Sequence, residues 1–138
     1  VTYLLDKSAW VLAARNREVA ARLAAELRTG NLMLCTVTAL EVLHSARNAE
    51  EYARDLDRLS RLGWRDLSDP RAAVAVQHRL ATRGWHRTSI PDVIIAATAA
   101  EHGLTVLHYD SDYERLAEVA GMGQEWVATR GSGHTPPA

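Results

Sequence analysis

Apolar positions along the chain switch repeatedly between an unbroken short run and a helical spacing. Tyr3 to Leu5 is an apolar run that ends at Asp6 and passes into Ser8 to Leu12, which reads as a buried strand handing over to a helix. Glu18 to Arg28 carries its apolar residues at helical spacing and stops at Gly30. Leu32 to Cys35 is then a second strand, and Thr38 to Ala46 a helix again. From Ala49 to Leu62, the residues Tyr52, Leu56, Leu59 and Leu62 share one helix face among Glu, Asp and Arg, and Gly63 ends the run. Asp69 and Pro70 read as an N-cap and a proline at the first helical position, opening a helix to about Thr82. Arg83 to Ser89 is a loop. Pro91 starts an apolar helix closed by Gly103, and Leu104 to Leu107 is a buried strand. Ser111 to Ala120 gives a last helix, Glu125 to Ala128 a final strand, and 129–138 a flexible Gly- and Pro-containing tail.

Short strands alternating with helices predict an α/β domain over residues 1–128, built on a mostly parallel sheet. Such sheets bind ligands outside the carboxyl ends of their strands. Asp6 and Asp110 both fall at predicted strand ends, and Asp92 opens the helix that feeds the Leu104 strand.

Composition narrows the function classes. A chain of 138 residues with 47% hydrophobic and 24% charged content fits one globular domain. The formal charge of −1 means that attraction to nucleic acid has to come from a local patch. Cys35 is the single cysteine, which excludes an intramolecular disulfide and a thiolate metal site and fits a reducing compartment. No stretch approaches the ~20 apolar residues of a membrane span, and the start lacks a basic region leading into an apolar secretory segment, so a cytoplasmic location is expected.

Asp6, Glu41, Asp92, Asp110 and Asp112 each lie beside apolar segments, where acids are rarely buried without a partner. Two carboxylates about 4 Å apart repel by ~4 kcal/mol at an effective dielectric near 20, so their convergence requires a cation or a proton. Mg²⁺ suits such a set, since it takes oxygen ligands and keeps several waters; Mn²⁺ is the alternative ion. Every acid also has a structural explanation. Thr38 to Glu41 and Ser111 to Glu114 both match a capping box, and Asp92 and Asp112 sit where they would favour a helix start. Asp6 is the exception, because Ser8 would supply any cap needed there.

The ordered set is what carries a resemblance. Leu4-Leu-Asp6-Lys-Ser-Ala, Thr36-Val-Thr-Ala-Leu-Glu41-Val-Leu, Ser89-Ile-Pro-Asp92-Val-Ile-Ile-Ala-Ala-Thr-Ala and Leu107-His-Tyr-Asp110-Ser-Asp112-Tyr-Glu-Arg-Leu-Ala follow one another from about Tyr3 to Val127. In this the chain resembles the PIN-domain ribonucleases, and more narrowly the toxin half of VapBC-type bacterial toxin–antitoxin pairs. The resemblance implies a three-layer α/β/α domain and a Mg²⁺-dependent endoribonuclease. It implies Asp6 and Asp92 as principal metal ligands, with Glu41, Asp110 and Asp112 completing the acidic pocket and Asp110 the third candidate ligand. It also implies an RNA substrate, a VapB-like antitoxin that blocks the pocket, and a homodimer or a heteromeric complex. Tyr113 stands where the family often has Phe, and Lys7 where it often has a small hydroxyl residue; Ser8 is left to offer a hydroxyl.

The loop leading to Asp92 contains Arg83, Trp85 and Arg87, a set able to grip an RNA backbone and stack an unpaired base, or else a solvated loop with Trp85 half-buried. The Glu18 to Leu27 and Ala49 to Leu62 helices carry apolar stripes that either complete the core or leave a groove for the antitoxin. Two other readings stay open. A degenerate PIN domain would only bind a partner. A receiver or phosphatase-like phosphoryl-transfer module would need a late Lys or an Asp-x-Asp after the first strand, whereas Lys7 is the only lysine and Asp6 is followed by Lys7 and Ser8.

Overall fold

The computed structural model describes residues 1–132. In chain order the elements are β1 (Tyr3–Leu5), α1 (Lys7–Ala13), α2 (Arg17–Arg28), β2 (Leu32–Leu34), α3 (Thr36–His44), α4 (Ala49–Leu59), β3 (Gly63–Trp64), α5 (Arg71–Ala81), α6 (Ile90–His102), β4 (Thr105–His108), α7 (Asp112–Ala120) and β5 (Gly123–Trp126). The five strands form one parallel sheet in the order β3-β2-β1-β4-β5. This is the three-layer α/β architecture expected from the alternation of runs.

Period-two alternation decides which side chain enters which half of the core. Tyr3 and Leu5 of β1 join Leu12, Val19, Leu23, Val42 and Leu59 on one face of the sheet. Leu4 points the other way, into the cluster with Val76, Leu80, Ile95, Val106 and Leu116. A strand with helices on both faces is apolar on both, which is why β1 and the Val106–Leu107 centre of β4 read as apolar runs.

β1 lies at the centre, and the chain grows outward from it first through β2 and β3, then through β4 and β5. The order of strands therefore reverses between β1 and β4. The two are held in register by Leu5 opposite Leu107, and the Asp6 N–H donates to the Leu107 carbonyl at 3.1 Å. A crevice forms at such a reversal, outside the carboxyl ends of the strands.

Several boundaries differ from the sequence expectation. The helix expected to reach Leu62 ends at Leu59, and Gly63, expected to stop it, begins β3. This edge strand is two exposed residues long and so has no apolar pattern to announce it; a Cβ on Gly63 would collide with the Met33 sulfur. β5 begins at Gly123 instead of Glu125, because the polar Gln124 and Glu125 are occupied by pairing with His108 and with Tyr3 and Arg22. Asp69 accepts from the Arg71 N–H at 3.0 Å, while Pro70 takes the cap position of α5. The expected tail begins with a turn over Thr129–Ser132, and its residues 133–138 lie outside the described residues. Among the described residues no helix is long and apolar enough to cross a membrane.

Candidate functional site

Asp6 follows the last residue of β1, where the strand's extended backbone continues for one residue before α1 begins. Its side chain caps that helix: Oδ2 accepts from the Ser8 N–H at 3.0 Å and from the Ser8 hydroxyl at 2.5 Å. Contrary to the expectation, then, Asp6 and not Ser8 is the cap. Ser8 Oγ in turn accepts from the Tyr109 N–H at 2.8 Å, which ties the start of α1 to the segment after β4. The Ser8 hydroxyl is thus committed to ordering the rim of the sheet.

Neither capping box forms. Thr38 lies buried within α3, where its hydroxyl donates to the Leu5 carbonyl at 2.9 Å and fixes α3 against the end of β1. That bond leaves Glu41, one turn further on, facing the crevice, with its Oε1 buried and, among the described residues, without a hydrogen-bond partner. Glu114 is drawn off to Arg130, at 2.9 Å.

Asp92, in the first turn of α6, is 7% exposed, and Asp6 is 3% exposed. Between them stands the hydroxyl of Tyr113, a fully buried side chain from α7, 2.7 Å from Asp6 Oδ1 and 3.1 Å from Asp92 Oδ1. The phenol has one proton. Donated to Asp6, it leaves the phenol oxygen to accept from the Asp92 carboxyl when that group is protonated. Burial, then the neighbouring Asp6 and Asp110, push Asp92 up to about 7. Glu41 is raised by burial and by Asp6, with Lys7 opposing, and Asp112 by burial and Asp110, with Arg115 opposing. Lys7 therefore faces the acids rather than bulk solvent alone.

His108, the last residue of β4, is buried and held below its ordinary pKa by desolvation, so it is neutral. Its Nε2–H donates to Gln124 at 2.6 Å, and its Nδ1 accepts from the Asp110 N–H at 3.0 Å. Asp110 Oδ1 then accepts from the Asp112 N–H at 3.0 Å, which folds the two acids back over the end of the sheet.

The result is one cavity of about 410 Å³ lined by Asp6, Glu41, Asp92, Asp110 and Asp112 together with Ser8, Lys7 and Arg15. All five acids named from the sequence meet here. One carboxylate oxygen from each of Asp92, Asp110 and Asp112 lies within 4.8 Å of the others. The ligand set expected from the resemblance is Asp6, Asp92 and Asp110; both Asp6 oxygens are hydrogen-bonded, to Ser8 and Tyr113, and Asp112 lies in the group with Asp92 and Asp110. Hard oxygen donors, mutual repulsion that burial amplifies, and an orphaned buried oxygen on Glu41 together suit a divalent cation such as Mg²⁺ or Mn²⁺.

The basic loop does not reach this cavity. Trp85 is half-buried, flanked by the guanidinium groups of Arg83 and Arg115 at 5.2 and 5.1 Å from its ring centre, and Arg83 pairs with Glu118 at 2.6 Å. Arg87 is exposed, and from this loop it is Ser89 that lines the cavity. Two contributors escaped the sequence reading. Arg15 stands at the cavity wall in the turn that follows α1, where no helical spacing marks it. The other is the Tyr113 hydroxyl, which helical spacing presents only as a core aromatic.

An α/β/α sandwich with carboxylates gathered at the strand reversal matches the family described as the PIN domain over residues 3–119, and the chain belongs to that family. Within it, the chain is 39% identical to Ribonuclease VapC21 of Mycobacterium tuberculosis over 135 residues, covering 94% of this chain and 96% of the relative. It is likewise 39% identical to Ribonuclease VapC18 of the same organism, with 96% and 99% covered. Among solved structures, the fold resembles DNA-bound VapBC from Salmonella typhimurium (TM-score 0.73, 20% identity, 93% and 99% covered). It also resembles VapBC2 from Rickettsia felis bound to a promoter fragment (TM-score 0.76, 17% identity, 91% and 98% covered).

Proposed function

We propose that the protein is a divalent-metal-dependent endoribonuclease acting as the toxin of a toxin–antitoxin pair. The observation that carries this reading is the convergence of Asp6, Glu41, Asp92, Asp110 and Asp112 on one cavity at the strand reversal. The names of the relatives, ribonucleases over nearly their whole length, support the choice of RNA.

Asp92, Asp110 and Asp112 would hold the cation, with Asp6 as a further ligand once its bonds to Ser8 and Tyr113 adjust. Bound there, Mg²⁺ or Mn²⁺ supplies polarisation of a phosphoryl oxygen and a lowered pKa for water. Glu41, whose Oε1 has no partner among the described residues, accepts a proton from the attacking water. The water oxygen bonds to phosphorus as the bond from phosphorus to the 3′-oxygen breaks, and the leaving oxygen takes up a proton, giving a 5′-phosphate and a 3′-hydroxyl. Arg15 at the cavity wall meets the phosphate, and Ser8 holds Asp6 in place instead of touching RNA.

The antitoxin reading rests on a second cavity. An apolar groove of about 440 Å³ runs between α1, α2 and α4, lined by Trp10, Ala24, Leu27 and Leu62, with Arg58 and Arg61 at its side. Helix α1 separates it from the acidic cavity and contributes to both. An antitoxin helix lying in this groove could pass a basic side chain across α1 into the acids.

Purified protein is expected to cut RNA with Mg²⁺ and to stop in EDTA. Asp6→Asn and Asp92→Asn are each expected to reduce cleavage by more than about 100-fold, the most that losing an outer partner costs a metal site. Variants that cut as fast as the parent would overturn the assignment. Expression of the chain alone is expected to arrest growth, and co-expression with its antitoxin to relieve the arrest.

A further inference from the structure

Beside the acidic cavity, on the β5 side of Asp110, lies a separate pocket of about 360 Å³ formed by Tyr109, Asp110, Ser111, Trp126, Arg130 and Gly131. We infer that this pocket is a nucleobase subsite, which receives an unpaired base of the RNA next to the scissile phosphate. The inference rests on the ribonuclease reading and adds to it a place for the base that neighbours the scissile phosphate.

Position is the first ground. Both cavities open at the carboxyl ends of the strands, and they share Tyr109 and Asp110 as a common wall. A nucleic acid whose phosphate sits among the acids therefore has a neighbouring nucleotide at the Tyr109–Trp126 pocket. Chemistry is the second. Tyr109 and Trp126 meet edge to face at 5.4 Å and 89°, and the Arg130 guanidinium lies 5.4 Å from the Trp126 ring centre. Trp126 and the planar Arg130 guanidinium over its ring, with Tyr109 at the edge, form a platform of the kind on which unpaired bases stack with little regard to sequence. A base inside a duplex keeps its faces stacked and cannot use them.

Support from behind is the third ground. Trp126 packs against His108 at 5.0 Å, and Arg22 donates to the Trp126 carbonyl at 3.2 Å. The Tyr109 backbone is held by Ser8, and Arg130 by Glu114. His108 and Ser8 are the same residues that position Asp110 and Asp6, so the pocket and the acids are fixed in one frame. Arg130, paired with Glu114, adds a further cation to Lys7 and Arg15 beside the acids.

The test measures kcat/KM with Mg²⁺ on a short unstructured RNA, and on a set in which each nucleotide in turn is replaced by an abasic ribose. In the parent protein one abasic position beside the cut is expected to lower kcat/KM by at least about fivefold, the lower bound for base–aromatic stacking. In Trp126→Ala the same abasic replacement is expected to cost nothing more. Trp126→Leu, which fills the space without a π-face, gives the same comparison if the alanine variant does not fold, and Trp126→Tyr is expected to keep the abasic penalty. Arg130→Ala is expected to weaken binding of every RNA in the set and to flatten its salt dependence, read by fluorescence anisotropy on an Asp6→Asn background. A flat abasic scan in a parent that cuts RNA overturns the subsite alone. So does an undiminished penalty in Trp126→Leu, or a loss of antitoxin binding in place of base discrimination. A parent that cuts no RNA overturns the ribonuclease reading, and the subsite with it.

Discussion

Burial and proximity act on Asp92 in one direction, and the result is a carboxyl held to about 7 in a metal-free protein. Its ordinary value is 3.8, so the folded chain keeps a proton that the unfolded chain releases. Stability from this proton is complete below about pH 4 and is lost as pH rises through about 7. In EDTA the Tm is therefore expected to fall across that window, and Mg²⁺ is expected to restore it at the upper end, as read by scanning calorimetry. Tyr113→Phe tests the other buried group. Removing the hydroxyl strips Asp6 Oδ1 of its donor, with an expected loss of about 1–3 kcal/mol of stability and about tenfold in Mn²⁺ affinity by titration calorimetry. The acids were legible in the sequence only as an ordered set, since each taken alone had a capping or dipole explanation, and Asp6 does cap α1. Tyr113 was not, since an aromatic at helical spacing is indistinguishable from core until the partner of its hydroxyl is known.

Among the elements, those buried on both faces announced themselves, and the edges did not. β1, the centre of β4 and the apolar middle of α6 fall where their runs predict, whereas β3 and the first half of β5 carry glycine and polar residues whose reasons lie in other strands. The capping boxes failed for a similar cause. Thr38 has the right neighbour for a local cap, but a carbonyl 33 residues away in sequence, that of Leu5, takes its hydroxyl. Thr38→Val keeps the shape and removes the donor. It is expected to cost about 1–3 kcal/mol in urea unfolding, and to lower cleavage further than stability alone explains, because α3 carries Glu41.

At the scale of the whole molecule, two cavities share α1, one acidic and one apolar, and substitutions in the second should separate inhibition from catalysis. Ala24→Arg fills the apolar groove from an exposed position on α2. It is expected to weaken antitoxin binding by at least about tenfold, one hydrophobic anchor's worth, with RNA cleavage by the free protein unchanged; surface plasmon resonance and the cleavage assay check the two halves. The central placement of β1 has a consequence for biosynthesis. Its carboxylate is made first, at position 6, yet the strand that flanks it spans 105–108 and the last acid stands at 112. The acidic pocket therefore cannot assemble until the ribosome has passed position 112, so it stays incomplete while the intervening chain is being made.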